Sequence, residues 1–166
     1  AQQEDACESH GQLEDFGLTV GKSFPGCWPT SCMLAGASLT ASRELRKMRR
    51  RSNAFVVNWH GGLGANASSD MAIGQSFVND IVLAVMDLRK TFENVAVITI
   101  GSSHSNAVQE AFEYSNSVLT CSIHRYDRKS THFASGRRKN RGKGTGRLAN
   151  LNVPLKTGAS DHTLLN

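Results

Sequence analysis

The chain has 166 residues, 39% of them hydrophobic, which is enough for one buried core and too few for two ordinary domains. No stretch approaches the ~20 consecutive apolar residues of a membrane-spanning helix, and the start Ala1-Gln2-Gln3-Glu4-Asp5 is acidic, unlike a secretory leader. A soluble, non-secreted protein without membrane contact is expected, and its formal net charge of +5 is unevenly spread. Residues 1–16 carry five acids and no Lys or Arg, whereas 43–51 and 137–147 each hold six basic residues, with Glu44 the only acid in either run.

The first thirty residues are polar and acidic, then rich in Gly, Pro and Trp, and show no sustained period. They predict a loose tail over 1–30, followed by one domain over 31–166. From residue 31 to 47, Met33, Leu34, Ala37, Leu39, Ala41 and Leu45 recur at rough helical spacing and lead through Met48 into the first basic run. Positive charge at the carboxyl end of such a helix suits its macrodipole. Ala54-Phe55-Val56-Val57 reads as a short buried strand, and a Gly-rich loop follows over 61–74. Val78, Ile81, Val82, Val85, Met86 and Leu88 then give an amphipathic helix closing at Arg89-Lys90.

Residues 95–100 form a strongly apolar strand, 107–114 a short helix and 117–123 another strand. The order β, α, β, α, β with continuous apolar strands predicts a parallel sheet covered on both faces. Ligands of such sheets bind at the loops beyond the strands' carboxyl ends. After His124 the chain is basic and Gly-rich, then recovers an apolar Leu151-Asn152-Val153-Pro154-Leu155. Cys7, Cys27, Cys32 and Cys121 form no Cys-x-x-Cys pair, which argues against a zinc knuckle or a disulfide scaffold. Gly142-Lys143-Gly144-Thr145-Gly146 lacks the feeding strand and following helix of a phosphate-cradling loop and reads as a structural turn.

The motif Asn58-Trp59-His60-Gly61-Gly62-Leu63, followed by Phe77-Val78-Asn79-Asp80-Ile81-Val82-Leu83-Ala84, resembles the frame around the active-site loop of class I-type zinc-dependent histone deacetylases. Leu88-Arg89-Lys90-Thr91-Phe92-Glu93 and Leu119-Thr120-Cys121-Ser122-Ile123-His124-Arg125-Tyr126 resemble later blocks of that family, and the likeness runs over roughly residues 32–158. It implies an α/β, three-layer parallel-sheet domain of the arginase/deacetylase type, truncated to the N-terminal part of the catalytic domain.

That family's hydrolysis uses a zinc ion to polarise the acetyl carbonyl, imidazoles to move protons and a tyrosine to support the oxyanion. By the resemblance, the paired catalytic histidines correspond to about Gly64 and Ala65, and the zinc-binding Asp and His to Gly101 and Ser103. The two Asp residues that orient the imidazoles correspond to Thr99 and Asn106; His104 alone remains, as the neighbour of the lost ligand. The family's third zinc carboxylate and its oxyanion tyrosine correspond to nothing in this chain. Gln75 stands where a Phe lines the family's acyl-lysine channel, and Phe133 matches a second lining residue.

No catalytic residue, metal site or cofactor is therefore expected, zinc entering only if the chain is a working deacetylase. The remaining donors are His104, His124 and Asp70, and the best local cluster is His124 with His132 and Asp127, although a histidine at a strand end is more often structural. The stretch Ser122-Ile123-His124 matches one near a monovalent-cation site whose main carboxylate is replaced by Gly101, so potassium is not expected.

Arg46, Lys47, Arg49, Arg50 and Arg51, with Arg137, Arg138, Lys139, Arg141 and Lys143, are candidates for polyanion contacts. They read as a solvated face, a nuclear-import signal, or a surface for RNA, DNA or inositol phosphates. With stacking aromatics scarce near either run, nucleic-acid binding would be backbone-directed and salt-sensitive.

The expected function is that of a degenerate, catalytically inactive deacetylase-like domain serving as a scaffold or subunit. Uncovered sheet edges and apolar faces call for a protein partner or self-association. The alternatives are a zinc-dependent lysine deacetylase completed by another chain, and a basic, nucleic-acid-associated component of a ribonucleoprotein. Family and basic runs favour the nucleus, while cytoplasm or mitochondrion fit the composition as well.

Overall fold

In a computed structural model that describes residues 14–18, 24–51, 53–74, 76–129 and 134–165, the chain divides into two units, Ala1–Thr91 and Phe92–Asn166. Among the described residues, the first is built mainly on two helices. Gly26, with φ 89°, takes the left-handed turn that leads into α1 (Cys27–Lys47). Pro29 falls in the first helical turn, where its missing N–H breaks no bond. The first turn, 27–30, lies inside the stretch expected to be loose, and the rest of α1 follows the predicted helix.

The face of α1 that turns inward is not the one its large residues suggest. Ser31, Ala35, Ser38 and Ser42, spaced by four, three and four, are buried, while Met33 is 69% exposed. Small side chains allow close approach of α2 (Asp80–Leu88), which packs on α1. Asn79 caps α2 by accepting a hydrogen bond from the Val82 amide at 3.1 Å.

Two Ser–Asp hydrogen bonds join the helices: the Ser38 hydroxyl donates to Asp80 at 2.6 Å, and the Ser42 hydroxyl to Asp87 at 2.9 Å. Asp87 also holds Arg46 at 2.9 Å and Lys90 at 3.1 Å. Burial by itself would raise the Asp87 pKa, but hydrogen bonds from Lys90, Ser42 and Arg46, with the charge of Arg46, hold it below the usual carboxylate value.

Asp80 also organises the loop before it. Its carboxylate accepts from the Gly62 amide at 2.7 Å and the Gly64 amide at 3.1 Å, and Asn58 Nδ2 donates to the Ser38 hydroxyl at 3.0 Å. The predicted strand 54–57 does not form. Its residues are coil, with Phe55 81% and Val57 57% exposed. Apolar composition supplies the faces of a strand but not a neighbour to complete its hydrogen bonds, and no strand is described in this unit.

The second unit holds β1 (Val95–Gly101), α3 (Asn106–Phe112), β2 (Val118–Arg125), a 3-10 turn (Gly144–Gly146), β3 (Asn150–Leu155) and α4 (Asp161–Leu165). The three strands form a parallel sheet in the order β1, β2, β3. Its third strand is thus 150–155 rather than 54–57. Pro154 is tolerated there because β3 is an edge strand with one ladder to satisfy.

Within this unit the two faces of the sheet differ. Alternate residues Thr120, Ser122 and His124 on β2, with Asn150 and Asn152 on β3, are buried beneath Ala107, Val108 and Gln109 of α3. The opposite face, with Ile98 66%, Ile100 72% and Leu151 52% exposed, is not covered by any described helix of this unit. One short crossover helix can shield only one side of a three-stranded sheet. Among the described residues, no helix is long and apolar enough to cross a membrane.

Asp80→Asn should destabilise the first unit by about 2–4 kcal/mol, because an amide nitrogen would face the donors that the carboxylate satisfies. Urea unfolding followed by circular dichroism checks this, and an unchanged midpoint would refute the anchoring role.

Candidate functional site

At the carboxyl ends of β1 and β2 the register sets Gly101 beside His124 and Thr99 beside Ser122. The chain leaves β1 through a bend in which Gly101, Ser102 and Ser103 are exposed, then turns His104 inward ahead of α3. His104 and His124 come together there, with ring centroids 4.7 Å apart and planes tilted by 43°.

His124 is fully buried and both its nitrogens are engaged. Nε2 lies 3.0 Å from the Gly136 carbonyl, which can only accept, so Nε2 carries the proton. Nδ1 lies 3.0 Å from the Ser122 hydroxyl. His104 Nδ1 lies 3.2 Å from the Ser135 hydroxyl. Its Nε2 faces Gln109 and Asn152 without a well-formed hydrogen bond, and Asn152 Oδ1 is likewise buried without a partner. Asn152 Nδ2 donates to Gln109 at 2.9 Å.

Burial, together with the neighbouring His124, pushes the His104 pKa down to about 4. His104 is thus held neutral beside His124 in a polar core. Gly136 completes it: at φ 76° its Cα lies so close that a Cβ would overlap His124 Nε2 and the His104 ring. This wedge has no signal in the residue pattern, because Gly136 borders a basic, Gly-rich run.

The other expected site residues are scattered. Gly64 is buried, and a Cβ there would overlap the Val78 carbonyl oxygen, so the loop as folded has no room for a side chain at that position. Ala65 is half-buried beside it. Thr99 lies inside β1, and Asn106 opens α3 and donates to Glu110 at 2.6 Å. Asp70 is exposed and accepts from Ser68 at 3.1 Å, and Asp127 pairs with Arg125 at 3.8 Å. Cys7, Gln75, His132 and Phe133 lie outside the described residues.

Among the described residues, no three His, Cys, Asp or Glu side chains gather around a point that could hold a metal ion. Zinc needs about three such protein donors. Gly101 offers no side chain, Ser103 offers one neutral hydroxyl, and the His124 nitrogens are already used, so this donor set does not fit zinc.

Of the basic candidates, Arg46, Lys47, Arg49, Arg50 and Arg51 line a single cleft, while Arg137, Arg138, Lys139, Arg141 and Lys143 lie on the surface. Lys143 is tied to Glu113 at 2.8 Å, and the turn it opens is pinned by its amide to the Glu113 carbonyl at 2.7 Å.

Two outcomes follow from the histidine pair. A folded pKa below the unfolded one means that the neutral ring stabilises the fold fully above about pH 6.5 and loses that contribution as pH falls toward 4, up to about 3 kcal/mol. Thermal melts between pH 7 and 5 should show the loss for the parent chain and a flatter profile for His104→Gln. Gly136→Ala should cost about 2–4 kcal/mol at neutral pH, through overlap and the left-handed backbone; denaturant melts would detect it.

Comparison with known proteins places this geometry. The family model described as "Histone deacetylase domain" matches residues 2–166. Among curated proteins, the chain is 37% identical over 143 residues to "Putative histone deacetylase 2" of Caenorhabditis elegans, covering 86% of this chain and 27% of that protein. It is 33% identical over 138 residues to "Histone deacetylase 8" of Xenopus laevis, covering 82% of this chain and 40% of the relative. Among solved structures, an HDAC homologue from Aquifex aeolicus superposes with a TM-score of 0.75 at 28% identity, over 84% of this chain and 36% of that one. An acetylpolyamine aminohydrolase from Burkholderia pseudomallei gives the same TM-score at 27% identity, over 83% and 39%. The chain thus spans well under half the length of each of these proteins. Its parallel sheet, its helices and its sequence together make it a member of the histone deacetylase domain family.

Proposed function

We propose that this member of the family is non-catalytic and acts as a scaffold or subunit of a larger assembly. The observation that carries the proposal is the pair Gly101 and Ser103 at the carboxyl end of β1, where the family's zinc ligands are expected. Neither can act as an anionic or imidazole ligand. The packing of Gly64 against the Val78 carbonyl adds to this, since a histidine could not be restored there without moving the loop that Asp80 holds.

Replacing several charged or imidazole groups by neutral ones removes far more transition-state stabilisation than one conservative exchange. What the fold retains is its scaffold: the Asp80-anchored loop, the α1–α2 pair and the parallel sheet. The apolar face of the sheet supports a role in assembly, because a large exposed apolar patch is a common mark of a contact surface. The names of the relatives as histone deacetylases favour a nuclear setting.

Elemental analysis of the purified protein, with turnover of an acetyl-lysine peptide, tests the reading. The expected result is a chain with far less than one zinc per molecule and no turnover. One tightly bound zinc per chain with hydrolysis would replace this proposal by a zinc-dependent lysine deacetylase.

A further inference from the structure

The carboxyl end of α1 and the residues after it surround one cleft of about 830 Å³. Six cations line it: Arg43, Arg46, Lys47, Arg49, Arg50 and Arg51. Among the described residues, one lining acid stands against them, Glu44, already paired with Lys47 at 2.6 Å. Asp87 is likewise spent, on Arg46 at 2.9 Å and Lys90 at 3.1 Å. Among the described residues, Arg43, Arg49, Arg50 and Arg51 therefore have no ion-pair partner, and all four are exposed.

Like charges held around one concavity raise its potential, and an anion entering it relieves their repulsion. Guanidinium groups match phosphate oxygens with paired N–H donors. Arg46 is already oriented, with Nε on Thr91 at 2.8 Å and Nη1 on Asp87 at 2.9 Å. A helix carboxyl end would ordinarily repel an anion through its free carbonyls. Here the carbonyls of Glu44, Leu45, Arg46 and Met48 accept from the amides of Met48, Arg49 and Arg51, which blunts that repulsion.

The volume is that of a small-ligand site, and among the described residues no aromatic side chain lines it to stack a base. We propose that this cleft binds a compact ligand carrying several phosphate groups, held by Arg43, Arg49, Arg50 and Arg51 and oriented by Arg46. The site is independent of the zinc-ligand positions and stands whether or not the chain hydrolyses anything.

The test is calorimetric titration of the full chain with inorganic tripolyphosphate. A matched triple variant, Arg49→Ala/Arg50→Ala/Arg51→Ala, is compared with Arg137→Ala/Arg138→Ala/Lys139→Ala, which removes the same charge from the other run. Because these six side chains are exposed, both variants are expected to fold, and circular dichroism checks that. Single-site binding that the first triple weakens by at least about tenfold, and the second leaves nearly unchanged, is the expected result. If the first triple misfolds, Arg43→Ala alone should still weaken binding.

Equal weakening by both triples would reduce the effect to net charge and overturn the site. So would absence of tripolyphosphate binding alongside tight binding of a single-stranded oligonucleotide, which would point to a nucleic-acid backbone. Given tripolyphosphate binding, vesicles with and without phosphatidic acid separate the sources. Sedimentation with the acidic vesicles that the first triple abolishes assigns the phosphates to a lipid headgroup, and no sedimentation assigns them to a soluble ligand; either supports the cleft.

Discussion

A carboxylate withdrawn from water must be given hydrogen-bond donors in its place, and Asp80 receives three: the Ser38 hydroxyl and the amides of Gly62 and Gly64. Those bonds couple three otherwise separate things, namely the register of α1 against α2, the path of the loop over 58–64 and the depth at which Gly64 sits. With Gly64 drawn down to the Val78 carbonyl, the loop has traded side-chain space for backbone packing. The conformation of this loop and the absence of a side chain at Gly64 are two aspects of one arrangement, since the amide that reaches Asp80 belongs to a residue without a Cβ.

The second unit obeys an inverted logic. The covered face of its sheet is polar, with Thr120, Ser122, His124, Asn150 and Asn152 bonded to one another, to loop carbonyls or to Gln109. Its uncovered face is apolar. Polar cores hold a particular geometry only when their donors and acceptors are matched, and here the match fails at His104 Nε2 and Asn152 Oδ1. The helix α3, the Gly136 wedge and the histidine pair therefore depend on one another closely.

The strands β1 and β2 and the helix between them were legible because continuous β-branched runs and a short helical period agree with the local backbone. Residues 54–57 carried the same composition, yet strand formation needs a paired neighbour, which composition does not encode. Ser31, Ser38 and Ser42 carry no hydrophobic signal, although small residues at their spacing with Ala35 mark a face fit for close helix packing. The expectation at Gly101 and Ser103 came from the resemblance to the family rather than from any pattern in the residues themselves. The cleft was only half visible: the sequence shows six cations, but not that Glu44 and Asp87 are consumed by some of them and leave the others unopposed among the described residues.

The apolar face of the sheet, with Ile98, Ile100, Leu119, Leu151 and Val153 in water, also carries a thermal signature. Hydration of such surface has a large positive heat capacity, so anything that seals it does so with a negative heat-capacity change and a driving force that weakens on cooling. An assembly closed through this face would loosen in the cold and tighten toward physiological temperature, opposite to one held by the charged cleft.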